Sequence, residues 1–207
     1  MAKRSAPEVN AGSMADIAFL LLIFFLVTTT IPKDSGINRK LPPMEPPNDE
    51  DVVIKQKNIF TVLINGKDQL LVEDELMELK DLRKAAIEFL DNGGGTDAAG
   101  NRCDYCKGDR DASSSDHPDK AIISLKNERE TSYAQYISVQ NELVAAYNDL
   151  RNRRALEIGP KRGFNDMNFV EMEKNYKDPK FNGNKDRLKE VIDQIRTEYP
   201  EKLSEVQ

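Results

Sequence analysis

Apolar positions are distributed very unevenly along this chain. From Ala11 to Ile31 the sequence AGSMADIAFLLLIFFLVTTTI holds one ionisable group, Asp16, while elsewhere charged residues break every apolar run after a few positions. A helix of that length rises about 1.5 Å per residue and reaches roughly 30 Å, the thickness of a hydrocarbon core. The run therefore predicts a transmembrane helix over 11–31, preceded by a short tail over 1–10. Five prolines follow between Pro32 and Lys57 (Pro32, Pro42, Pro43, Pro46 and Pro47), which predicts an extended, semi-rigid linker over 32–57.

Beyond the linker the period changes from a continuous run to short alternations. Ile59 to Asn65 reads as a strand, Asn65-Gly66 as a hairpin turn and Gln69 to Val72 as the returning strand. Leu79, Leu82, Ala86 and Leu90 share one face of a helix that ends at Asn92-Gly93. Ala121 to Leu125 is a short apolar strand, and a capping-box pattern from Ser132 to Gln135 opens a long helix through about Arg154. The stripe Tyr136, Gln140, Leu143, Tyr147 and Leu150 on that helix reads as core. The order predicts an α+β fold for 58–158, a small sheet with helices on one face, interrupted by a flexible insertion over 92–119. In the extension 159–207, Phe164, Phe169, Tyr176 and Phe181 follow no clear period and read as a patch on the domain's flank. Leu188, Val191, Ile192 and Ile195 mark a last helix closed by Pro200, and Lys202 to Val206 offers a final strand.

Charge narrows the function. The 207 residues carry a net charge of −6, which argues against a nucleic-acid partner. Lys3 and Arg4 precede the apolar run and Lys33, Arg39 and Lys40 follow it, so the positive-inside rule gives no clear orientation. A cleaved signal peptide fits poorly: the run ends in three threonines, Ile31 and Pro32 with no small-x-small site, and an aspartate opens its core. An uncleaved anchor is the better reading.

Asp16 is the candidate for chemistry. On insertion scales a central aspartate costs about 2.5 to 3.5 kcal/mol, so such a group faces protein or water and commonly handles protons or ions. Hydrocarbon disfavours the carboxylate, which lets the group load a proton on one side of a membrane and release it on the other. Gly12, Ser13, Phe19, Leu20, Ile23, Val27 and Thr30 share its face at steps of three and four. The small residues beside the acid allow another helix to approach closely. One helix cannot enclose a proton path, so partner helices are required.

The segment PEVNAGSMADIAFLLLIFFLVTTT resembles the N-terminal anchor of the ExbD/TolR family, especially ExbD-like biopolymer transport proteins of the Bacteroidota type. Pro7 and Asn10 ahead of the helix, Asp16 one turn in and the terminal threonines carry the resemblance. Gly12, Ser13 and Met14 depart from the Thr-Pro that family members commonly place before the aspartate. The resemblance implies a single-pass protein of the inner membrane, N-terminus in the cytoplasm and C-terminal domain in the periplasm. It further implies that Asp16 carries protons inside a pentameric ring of ExbB-like subunits, driving a motor that works on a TonB-like protein. TolR-like relatives use the same plan to maintain the envelope. Family periplasmic domains pair as homodimers, and the 92–119 and 159–207 segments exceed the minimal domain.

Other chemistry is thinly supported. Cys103 and Cys106 form a C-x-x-C pair near His117, the sole histidine, and three readings compete: a disulfide, a metal clip or a redox pair. A redox site would sit at a helix start near a βαβ pattern and a zinc site needs four ligands, so a surface disulfide fits best. No metal or other cofactor is expected. Gly93-Gly94-Gly95 lacks the lysine of a phosphate loop, and no G-x-S-x-G motif accompanies the single histidine, so an enzyme is not expected. Two other classes stay open: a membrane-tethered binding module for an envelope component, which would not need Asp16, and a tethered thiol-disulfide enzyme, which would need Cys103 and Cys106.

Overall fold

The computed structural model describes residues 11–28 and 55–206, and the chain divides into two units, Met1–Glu50 and Asp51–Gln207. In the first unit Ala11–Thr28 forms helix α1. Its 18 residues reach about 27 Å. Among the described residues no helix is long and apolar enough to cross a membrane. Thr29 to Ile31, which complete the 21-residue run of the sequence, lie outside those residues, as do the tail 1–10 and the linker up to Ile54.

The second unit is α+β with a mixed five-stranded sheet. Strands β1 (Ile59–Ile64), β2 (Leu70–Val72) and β3 (Glu75–Met77) form an antiparallel meander, followed by helix α2 (Leu79–Leu90) and strand β4 (Ile122–Asn127). Helices α3 (Tyr133–Ile158), α4 (Phe169–Lys177) and α5 (Lys185–Glu198) come next, and strand β5 (Leu203–Val206) ends the fold. The strand order is β3-β2-β1-β4-β5, with β4 parallel to both β1 and β5. Strand β1 alternates half-buried and buried positions, so Phe60, Val62 and Ile64 point to one face, joined by Leu70, Val72, Ile123 and Leu125. Helices α2 and α3 cover that face with Leu82, Ala86, Leu90, Leu143, Tyr147 and Leu150.

Three local results differ from the sequence reading. The β1–β2 connection is longer than a two-residue turn: Asn65 Oδ1 accepts from the amides of Lys67 and Gln69, and Asp68, not Gly66, takes the left-handed conformation at φ 60°. Strand β3 was not expected, because its turn uses Glu73 and Asp74 at φ 52° and 69° with no glycine to announce it. Helix α4 was also not expected, although Asn168 and Glu171 form a reciprocal capping box at its start.

The extension 159–207 is part of the fold. Phe164, Phe169 and Met172 pack with Leu188, Val191, Ile192 and Ile195 into a second core, into which α3 runs with Ala155 and Ile158. The chain then returns to the first core, where Tyr199 is buried and β5 pairs with β4 from Ile123↔Leu203 to Lys126↔Val206. On the stripe of α3, Leu143, Tyr147 and Leu150 are core, whereas Tyr136 and Gln140 reach the β5 residue Glu205 at 2.7 and 2.6 Å.

Candidate functional site

Asp16 stands on the second turn of α1 with Gly12 one turn before it and Phe19, Leu20 and Ile23 on the same face after it. Ser13 and Val27 lie in the helix with side chains outside the described residues, and Thr30 lies beyond them. Nine large apolar side chains of α1, from Met14 through Phe25, are exposed, Leu22 at 62% and Ile23, the least, at 42%. A helix apolar on all sides is stable only inside lipid or protein. Asp16, itself exposed within this unit, is therefore a carboxyl that the surroundings of α1 must bury or hydrate.

Cys103 and Cys106 are joined as a disulfide with Cα atoms 5.6 Å apart. The pair is buried, at 3% and 6% exposure, rather than at the surface. Among the described residues no group of three or more His, Cys, Asp or Glu is arranged to hold a metal ion. His117 Nδ1 instead lies 2.7 Å from Asp119 Oδ1. Gly93, at φ 63°, packs directly on the disulfide: a Cβ there would sit 2.8 Å from Cys106 Cβ. Gly93→Ala is expected to destabilise the domain by about 1 to 3 kcal/mol, read as a lowered thermal midpoint.

The 92–119 segment, expected to be a flexible insertion, is a bonded wrap. Its polar composition supplies turn bonds rather than mobility: Asn92 donates to the carbonyls of Asp111 and Ser115 at 2.8 and 2.7 Å and accepts from the Asp111 amide at 2.9 Å. At its centre the buried Asp116 carboxylate receives Lys57 at 2.5 Å, Lys55 at 3.3 Å and the Asn58 side-chain amide at 3.3 Å. Burial raises this carboxyl, but the hydrogen bonds from Lys57, Asn58 and Lys55 outweigh that and hold it down to about 2. A carboxyl depressed in the folded state contributes stability above its unfolded value of about 3.9 and loses it as pH falls through the folded one. Thermal midpoints followed from about pH 5 to about pH 2 should therefore fall with a contribution of about 2 kcal/mol from this group, and Asp116→Asn should remove that part of the slope.

Sequence reading missed a second polar cluster. Asp91, just past α2, accepts both terminal nitrogens of Arg153 at 2.7 Å, the Tyr199 hydroxyl at 2.7 Å and the Lys107 amide at 3.2 Å. Hydrogen bonding to Asp91 raises the Arg153 guanidinium, and burial together with Asp91 pushes the Tyr199 phenol up. The cluster staples α2, the insertion, α3 and the approach to β5. No spacing rule links positions 91, 153 and 199, so no local signal could have found it.

Strands β3 and β5 form the two edges of the sheet, and among the described residues neither has a further strand beside it. The β3 edge carries Leu76 at 71% exposure. An edge strand pairs with an added strand through its backbone.

Compared with known proteins, residues 2–151, which is 150 of the 207 positions, match the family model for the biopolymer transport protein ExbD/TolR. No curated protein matches the chain.

Proposed function

The chain belongs to the ExbD/TolR family of biopolymer transport proteins, and from that premise we propose that it is the stator subunit of an ExbB–ExbD-like inner-membrane motor driven by the proton gradient. Its anchor spans the membrane once, N-terminus in the cytoplasm, inside a pentameric ring of ExbB-like subunits. Asp16 carries the proton, and the folded unit, paired as a homodimer in the periplasm, hands the work to a TonB-like protein that opens outer-membrane transporters. The chain has no soluble catalysis of its own.

One observation carries the reading: α1 exposes apolar side chains on every side and holds a single ionisable group. Such a helix needs an apolar enclosure, and its one carboxyl is then a proton site by default. The sheet edges β3 and β5, beside which no further strand lies among the described residues, support the partner step, because an extended segment can add to a sheet edge.

Purification of the full chain from membranes tests the assembly. It is expected to bring down a polytopic ring-forming membrane protein, and a cysteine label placed after residue 58 should react from the periplasmic side. Recovery of the chain alone, or labelling from the cytoplasm, would overturn the reading. An envelope-integrity defect with normal nutrient uptake in the deletion strain would move the task to the TolR-like one.

A further inference from the structure

Three of the last four residues before β1, Lys55, Lys57 and Asn58, converge on one carboxylate of the 92–119 segment. We propose that Asp116 is a positioning residue for force transmission: it locks Lys55, Lys57 and Asn58 to that segment, so that a pull arriving along the linker enters the domain there rather than through the first pairs of β1. This rests on the stator reading, in which the linker is loaded.

The chain enters the sheet at Ile59, whose register partner is Ile122 on β4. Without an earlier anchor, tension before Ile59 would open the β1–β4 pairs one after another from that end. The structure places the anchor just upstream. Asn58 and Asp116 bond reciprocally, the Asp116 amide donating to Asn58 Oδ1 at 2.8 Å and Asn58 Nδ2 donating to Asp116 Oδ2 at 3.3 Å. Lys57 adds its ion pair with Asp116 and donates to the Ala112 carbonyl at 2.9 Å, and the Asn58 amide closes a turn on the Lys55 carbonyl at 2.9 Å. These bonds act side by side, so a pull must break several together.

The segment is itself tied to the domain. The amides of Gly94 and Gly95 donate to the carbonyls of Ser115 and Asp116 at 3.1 and 2.7 Å, and the Ser115 hydroxyl donates to the Phe89 carbonyl of α2. With the Asn92 bonds and the buried disulfide, load at Asp116 passes to the C-terminal end of α2 and so to the core. The socket is shaped for the carboxylate: Asn58 and Asp116 are 3% and 5% exposed, and a Cβ at Gly95 would collide with the Asp116 side chain. Solvent-exposed ion pairs contribute little; this one is buried on the acid's side and backed by amide bonds.

The full chain carrying Lys55→Gln and Lys57→Gln tests the lock without touching the buried residues, and Asp116→Asn is the second variant. Hydrogen exchange of the purified protein should rise at least tenfold at residues 55–58 in the double variant, while β1 beyond Phe60 stays close to wild type and the thermal midpoint falls by no more than about 4 to 8 °C, the share that the lysines contribute through Asp116. Growth that depends on energised uptake should fall in both variants at unchanged protein level. Unchanged exchange at 55–58 overturns the lock itself. Raised exchange with full growth, in cells where Asp16→Asn abolishes growth, overturns the force-entry role while the stator reading stands. Full growth with Asp16→Asn instead overturns the stator reading, leaving exchange to decide the lock and ending the force-entry role with it.

Discussion

Asp16→Asn is expected to reduce growth on a nutrient that needs outer-membrane active transport to the level of a strain lacking the gene, with normal protein level and partner recovery. Asparagine keeps the shape and most of the hydrogen bonding of aspartate but has no proton to exchange. The substitution should not hinder insertion, since it removes a group that costs about 2.5 to 3.5 kcal/mol at a helix centre. Neighbours on the same face, Gly12 and Leu20, are untouched, so close approach of partner helices is preserved. Loss of growth with intact assembly thus isolates proton handling from packing. Asp16→Glu, which retains the proton but shifts it by one methylene, should keep partial growth. Normal growth of the asparagine variant, where the deletion abolishes growth, would sink the stator reading and leave a tethered binding module.

Asp91→Ala should be the most damaging single polar change in the folded unit. It strips the bidentate partner from Arg153, whose Nε is already a buried nitrogen without a partner among the described residues, and leaves the Tyr199 hydroxyl without its acceptor. Breaking a buried pair by removing one member costs about 3 to 5 kcal/mol. Arg153 retains some exposure, with 28% of its side-chain surface open, so the lower end, about 3 kcal/mol, is expected. For a domain of this size that lowers the thermal midpoint by about 6 to 12 °C, measurable by circular dichroism on the full chain in detergent. Tyr199→Phe, which deletes the bond donated to Asp91 and the one accepted from Arg153 and keeps the ring, should cost about 2 kcal/mol. A midpoint within a degree of wild type for Asp91→Ala would show that the cluster is solvated in solution. The two experiments address separate units of the chain, so neither result depends on the other.

What could be read from the chain alone was whatever depends on near neighbours. Asp16 stood out because an apolar solvent imposes its demand residue by residue, and one acid in a 21-residue run is visible without any fold. Strand β1, helix α2 and helix α3 were equally plain, since a core face writes a period of two or 3.6 directly into the sequence. Strand β3 and helix α4 were not, the first because Glu73 and Asp74 make its turn without glycine, the second because a nine-residue helix burying mainly Phe169 and Met172 leaves too little period. Only the tertiary structure decided that the 92–119 segment is held in place, that β5 returns to complete the sheet, and that positions 58 and 116, or 91, 153 and 199, meet. Burial removes the water that would otherwise satisfy those polar groups, and each then takes whichever partner the packed chain brings to it, at a sequence distance that no local pattern encodes.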